Sequence, residues 1–352
     1  MMERSINYRK LSMHGETDMA VTVKQIADEL NISFQLVSAV LTGKSYCRAS
    51  KEKKQLILET AEKMGYVPNA NARVLAGKPS RVLGLLADLR APAPSTRVLA
   101  ELEREAAQAG FRLMIGGFHD RVEDIISSYG LLQQHKVDGV FLLSLDDSRY
   151  RKRLADFFRE KNHLVVIRAP LIKQHFCVEV DLSSVFSEIV TELQKDGRKN
   201  IHYLGSDPAS HQAMKERVQG FGRNFADAEE RLHKLDFSKG TMKADGMTPD
   251  EFIRKIIKRR KIDALVIQDD LFALQWLTLL HDHGLKVPED IAVTGCNNEQ
   301  FSACTSPALA SVDFRETMIA KAAMELMQKS LQGASPETVR LRPEFIRRKS
   351  FR

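Results

Sequence analysis

The chain has 352 residues with a net charge of +7, 43% apolar and 28% charged, which is the profile of a globular protein with room for two or three cores. No apolar run reaches bilayer length, and the first twenty residues lack the apolar segment of a secretory signal, so membrane and exported classes are set aside. The four cysteines, Cys47, Cys177, Cys296 and Cys304, form no C-x-x-C pair, so idle thiols in a reducing cytosol are expected rather than a disulfide or zinc framework.

Residues 1–19 read as a disordered tail, within which Met13 or Met19 are alternative starts. "TVKQIADELNISFQLVSAVLTGK" (22–44) then reads as two short helices. Thr22 and Gln25 form a capping box, Asn31 suits a left-handed turn, and Ser33 caps the second helix. Ile26, Ala27 and Leu30 share one face, and Val37, Val40 and Leu41 another. A third helix runs from about Ser50 to Met64. Bases cluster between Lys44 and Lys54, and the spacing fits either a helix-turn-helix or a plain small bundle.

"YVPNANARVLAGKPSRVLGLL" (66–86) holds a helix of barely two turns, ended by Gly77-Lys78-Pro79 and too short to be stable alone. Beyond it, apolar runs at 81–88, 111–117, 139–144, 163–169, 200–206, 264–270 and 290–296 read as strands. Helical segments lie between them at 96–109, 122–135, 183–196, 212–227, 249–259 and 271–283. Such alternation predicts parallel sheets covered on both faces, in two α/β subdomains. Ligands then bind at the carboxyl ends of the strands, in the cleft between the two.

The head segment resembles the DNA-binding head of the lactose-repressor (LacI/GalR) family. Thr22, Ile26, Ala27, Ile32, Ser33, Val37, Ser38, Val40 and Leu41 fall in register with its motif. "YVPNANARVLAGKPS" is close to the family's Y-x-P-N-x-x-A-R-x-L. "HGLKVPEDIAVTGCNN" (283–298), "SPALASVD" (306–313) and "EFIRRKS" (344–350) extend the likeness to the end of the chain. The resemblance implies an all-α helix-turn-helix head (20–65), a hinge helix and linker (66–80), and an α/β bilobal, periplasmic-binding-protein-like effector core. The core's N-subdomain is expected over 81–180 and 314–335, and its C-subdomain over 181–313 and 336–352. The implied function is a sequence-specific transcriptional regulator, a repressor, controlled by a sugar or sugar-derived acid in the cleft. It binds a pseudo-palindromic operator as a homodimer, in the bacterial cytoplasm with the nucleoid. The alternatives are a regulator without effector response and a bilobal sugar-binding protein.

By the same resemblance the DNA-facing residues are Thr22, Ser33, Phe34, Gln35, Ser38, Ala39, Lys44 and Arg48 in the head. Asn69, Ala72, Arg73 and Leu75 join them in the hinge, where Leu75 is the minor-groove wedge. A helix marginal on its own suits that task, because DNA supplies the contacts that order it. The recognition helix departs from the family where an Arg is common and Ala39 stands. Gln35 can pair with adenine and Ala39 can touch at most a thymine methyl, which points to a different operator. Phe34 is either a base-facing residue or a core aromatic.

The effector residues carried over are Arg217, Asp269, Asn297, Phe237 and Arg168. Arg217 belongs to "RVQGF", Asp269-Asp270 replaces an Asn-Asp pair, and Cys296-Asn297 replaces an aromatic and an Asp. Phe237 is either a ligand-stacking aromatic or a strand-end core residue. Arg168 and Arg217 together favour an acidic or phosphorylated effector. An ordinary sugar held by a rearranged set is the rival. No G-x-S-x-G, P-loop or H-E-x-x-H is present, so no enzyme is expected, nor a cofactor beyond the effector. His281 and His283 are two apart on a helix and face different ways, so no metal site is expected there.

Overall fold

The computed structural model describes residues 21–42, 49–66, 77–90, 93–119, 121–143, 151–168, 174–209, 211–237 and 242–352. The chain divides into two compact units, Met1–Ser80 and Arg81–Arg352. The expected tail (1–19), Lys44, Arg48 and the hinge residues Asn69, Ala72, Arg73 and Leu75 lie outside the described residues.

The first unit is helical. α1 (Val23–Leu30) starts at a reciprocal capping box: Gln25 N donates to Thr22 Oγ1 at 3.3 Å, and Thr22 N donates to Gln25 Oε1 at 2.8 Å. Asn31, at φ 52°, turns the chain out of the helix. Ser33 Oγ then accepts from Leu36 N at 3.4 Å and opens α2 (Phe34–Leu41). Ser50 caps α3 (Lys51–Lys63). Ile26, Ala27, Val37, Ile57 and Ala61 meet in a small core. Each helix alone is too short for stability in water, so this shared core holds the head together.

The second unit has two lobes. In the N-lobe lie β1 (Val82–Asp88), α4 (Ala93–Gln108), β2 (Arg112–Phe118), α5 (Val122–Gln134), β3 (Gly139–Leu143), α6 (Arg151–Phe158), β4 (Leu164–Ile167) and β5 (Phe176–Val180). The chain crosses into the C-lobe with α7 (Leu182–Lys195), β6 (Ile201–Gly205), α8 (Gln212–Gly222), β7 (Leu232–Asp236) and β8 (Lys243–Ala244). α9 (Pro249–Phe252) runs on into a π-helical turn, Ile253–Lys258, before β9 (Ala264–Ile267), α10 (Asp270–Asp282), β10 (Ala292–Thr294) and β11 (Ser311–Asp313). α11 (Glu316–Leu331) returns to the N-lobe, and β12 (Thr338–Leu341) and β13 (Glu344–Ile346) follow.

The N-lobe sheet has the order β12-β5-β4-β3-β1-β2, all parallel. The C-lobe sheet has the order β10-β9-β6-β7-β8, antiparallel only at β7–β8. β11 and β13 pair antiparallel in a separate ribbon. One apolar cluster fills the faces under α4, α7 and α11 in both lobes. The opposite faces carry their own clusters, under α5 in the N-lobe and under α10 in the C-lobe. Burial on both faces is why most strands read as unbroken apolar runs.

The expected boundary at 336 is corrected. β12 adds to the outer edge of β5, with Thr338 opposite Cys177, so residues 338–341 belong to the N-lobe sheet. The return to the C-lobe comes after Leu341, where β13 joins β11.

Candidate functional site

On α2, Phe34 is 51% exposed, which removes the reading of it as a core aromatic. Ser33 and Gln35 are exposed beside it and Ser38 is half-buried. Ala39 is only 7% exposed, so its methyl presents little surface to a base. The outward face of α2 is thus carried by Ser33, Phe34 and Gln35.

In the second unit the parallel topology brings several chain segments to strand ends. β6 and β9 deliver Ser206 and Gln268-Asp269, β10 delivers Cys296-Asn297, and β4 delivers Arg168. Arg217, on α8, is 4% exposed. Its Nη1 donates to the main-chain oxygen of Gln268, and its guanidinium lies 5.6 Å from the Phe186 ring centroid. α8 reaches this depth because residue 220 has no side chain: a Cβ there would stand 2.2 Å from the Ser183 oxygen of α7. Gln268 Oε1 accepts from Ser206 N at 2.6 Å and ties the two strand ends together.

Asp269 caps α10, its Oδ1 accepting from Phe272 N at 2.9 Å. Burial raises its pKa, against the pull of Phe272 N and the Arg217 charge. Arg168 sits at φ 77°, sends Nη1 to Ser95 Oγ at 3.1 Å and covers the Phe314 ring at 4.7 Å. Cys296 is fully buried, and burial pushes its thiol up to about 12. The charges of Arg217, Asp270, Asp269 and Arg168 all act on that thiol, so these groups share one electrostatic neighbourhood. Asn297 follows, 8% exposed at φ 108°, its N–H on Val312 O at 3.0 Å. Phe237 stacks on Phe272 at 4.0 Å and 12°, three residues along α10 from Asp269. It also packs against the second C-lobe cluster, so it is a core residue on one face.

Three features of this region were not read from the sequence. Asp270 is fully buried and accepts from Glu299 N, Ser302 Oγ and Ser311 Oγ at 2.8, 2.7 and 2.6 Å. The second acid of the pair is therefore an internal tie. Tyr203 is 1% exposed beside Arg217, and burial raises its hydroxyl pKa. Arg97 on α4 reaches Glu299 and Glu316. An apolar strand with one Tyr and a polar helix face with two Arg carry no local signal for either role.

Among the described residues, no group of three or more His, Cys, Asp or Glu is placed to hold a metal. His283 pairs with Asp250 at 2.8 Å while the His281 side chain is 90% exposed. No described helix is long and apolar enough to cross a membrane.

A model of the periplasmic binding protein-like domain matches residues 190–351. The HTH-type transcriptional repressor PurR of Histophilus somni is 24% identical, over 94% of this chain and 99% of its own length. Catabolite control protein A of Priestia megaterium is 26% identical, over 88% of this chain and 92% of its own. The lac repressor dimer bound to operator and the anti-inducer ONPF superposes with a TM-score of 0.79 at 19% identity, over 95% of this chain and 100% of that one. Over nearly its whole length the chain is thus similar to regulators of the LacI/GalR type. A second solved structure, the regulator CelR with cellobiose, has a TM-score of 0.64 at 20% identity, over 94% of this chain and 99% of that one. The PurR relative is, by its name, a transcriptional repressor rather than an enzyme. α2 lies in the first compact unit and the Arg217 neighbourhood in the second.

Proposed function

We propose that this chain is a repressor of the LacI/GalR family that binds a pseudo-palindromic operator as a homodimer, in the bacterial cytoplasm. A small molecule between the lobes sets how tightly it holds that operator. The observation that carries this reading is Arg217: a guanidinium buried between α7 and the β9 end, among Asp269, Arg168 and Cys296, on a chain that also has a helix-turn-helix head.

The residues support a sugar-derived acid. Arg168 and Arg217 are forked donors suited to a carboxylate or phosphate. Asn297 stands where the family carries an acid, and Asp270 is committed to three internal donors. Asp269 is the carboxylate that remains for ring hydroxyls. In the head, Gln35 and Phe34 are the base-facing candidates, with Thr22, Ser33 and Ser38 beside them. Lys44 and Arg48 would contact phosphates, and the hinge set of Asn69, Ala72, Arg73 and Leu75 would enter the minor groove.

Selection of duplexes from a random library at stated salt tests the first half. A recovered palindrome supports the dimer and the head; salt-sensitive binding with no motif overturns sequence-specific repression. Titration of the selected duplex complex with D-glucose, D-gluconate and D-glucose 6-phosphate tests the second half. A change in duplex affinity with the two acids alone supports the anionic effector, and a change with glucose alone overturns it.

A further inference from the structure

Arg97 joins the two lobes. It lies on α4, and its own-lobe anchor is Glu316, at the first turn of α11: Nε and Nη2 stand 3.0 and 2.7 Å from Glu316 Oε1. From there Nη1 reaches Glu299 Oε2 at 3.2 Å, and Nη2 donates to the main-chain oxygen of Asn297. Glu299 and Asn297 belong to the C-lobe loop that follows β10.

That loop is pinned to its own lobe. Asn297 and Asn298 are successive residues in the left-handed region, at φ 108° and 46°. Asn298 N donates to Ser311 Oγ at 2.9 Å, and its Nδ2 to Asp313 Oδ2 at 2.8 Å. Arg348 Nη2 donates to Asn298 Oδ1 at 2.6 Å, and Glu299 N is held by Asp270. A loop tied at this many points moves with its lobe. Glu316 in turn follows the β11 crossover directly, after Arg315 at φ 59°. The clasp therefore bridges the two lobes beside their β11–α11 crossover. It also sets two carboxylates from different lobes against one guanidinium, so without Arg97 they would repel.

We propose that Arg97 is a positioning residue that makes ligand contact at Asn297 and closure of the lobes one event. It acts through the 297–299 loop and not by touching the ligand. The proposal rests on the cleft being the effector site. Arg fits the task and Lys does not. One planar fork serves Glu316, Glu299 and Asn297 O together, whereas an ammonium is a single point charge.

The test uses the full chain with Arg97→Ala, Arg97→Lys, and Arg97→Ala combined with Glu299→Gln. Hydrogen exchange without ligand reads the clasp itself. Arg97→Ala should speed exchange of 297–299 and of 316–319 together, by about tenfold. Arg97→Lys should recover little. The added Glu299→Gln should slow exchange at 316–319 again, because it removes the repulsion; an Arg97 that merely packs would give a double variant no better than the single one. Faster exchange confined to α4 overturns the proposal. With D-gluconate as probe and the selected duplex, Arg97→Ala should keep probe and duplex affinities separately, while the effect of one on the other falls by about tenfold. Unchanged coupling overturns the proposal. A wild-type chain that ignores D-gluconate counts against the sugar-acid reading alone, since exchange still decides on the clasp.

Discussion

The carboxylate of Asp270 lies directly against the α-carbon of Gly295: a methyl at 295 would stand 2.1 Å from Asp270 Oδ1. The backbone of β10 can pass this close to α10 only as glycine. Asp270 has no room to yield, because Glu299 N, Ser302 and Ser311 hold both of its oxygens. Gly295→Ala should therefore lower the unfolding free energy by about 2–4 kcal/mol, in the range of overpacked and network-breaking changes. Urea denaturation checks it, and a loss within roughly 0.5 kcal/mol would mean the tie is slack.

Asp270 also predicts a pH dependence. Burial lifts its carboxyl from the ordinary 3.8 to about 6, outweighing the three donors that favour the charged form. The folded chain then keeps a proton over a range where the unfolded chain has lost it. This group's contribution to stability is full below pH 3.8 and is lost as pH rises through about 6. The loss amounts to roughly 3 kcal/mol. Asp270→Asn cannot titrate, so wild type should gain stability relative to it on going from pH 7 to pH 4.5. A difference that stays constant across that window would refute the raised pKa.

Arg217 donates to Gln268 O inside the C-lobe, so its removal costs both packing and a charge-assisted hydrogen bond. Arg217→Ala should lose about 1–3 kcal/mol of core stability by that route. If it clamps the effector, it should also abolish the effector response and leave operator affinity unchanged. Gel-shift titration against the selected duplex separates the two effects. A normal effector response in a destabilised variant would make Arg217 a packing residue.

In the head, Gln35→Ala should relax base preference at one position of each half-site and cost about 1–3 kcal/mol there, as expected for losing a bidentate contact. Leu75→Ala should act differently. It should weaken binding and reduce DNA bending, with preference in the half-sites retained. Circular-permutation gels and repeat selections on each variant report the two effects separately, and bending unchanged in Leu75→Ala would remove the wedge assignment.

What could be read in the sequence was local. The Thr22–Gln25 box and the turn at Asn31 depend on neighbours within a few positions, so they are legible as letters. The strands buried on both faces were legible too, because burial leaves an unbroken apolar run. β12, "TVRL", was not: it is an edge strand whose side chains alternate between exposed and half-buried. α11 and β5 are absent from the apolar runs and helical segments read from the sequence, although the structure buries half of α11 and nearly all of β5. The role of Asp270 as an internal tie had no local signal. Its donors come from 29, 32 and 41 positions away. Arg97 was further out of reach, with partners 202 and 219 positions along the chain. For Phe34 the letter left a base-facing residue and a core aromatic both open, and only the packing of three helices shows that the core closes without it.

β12 completes a sheet begun far upstream. Its partner β5 ends at Val180, and the whole C-lobe is synthesised before Thr338 arrives. On the ribosome, therefore, the head can fold early, but the N-lobe must wait with an open flank until the C-lobe has emerged. A transcript cut short before β12 would yield a protein with a finished DNA-binding head and an unfinished control module, with β5 left as a free edge for other chains to pair with.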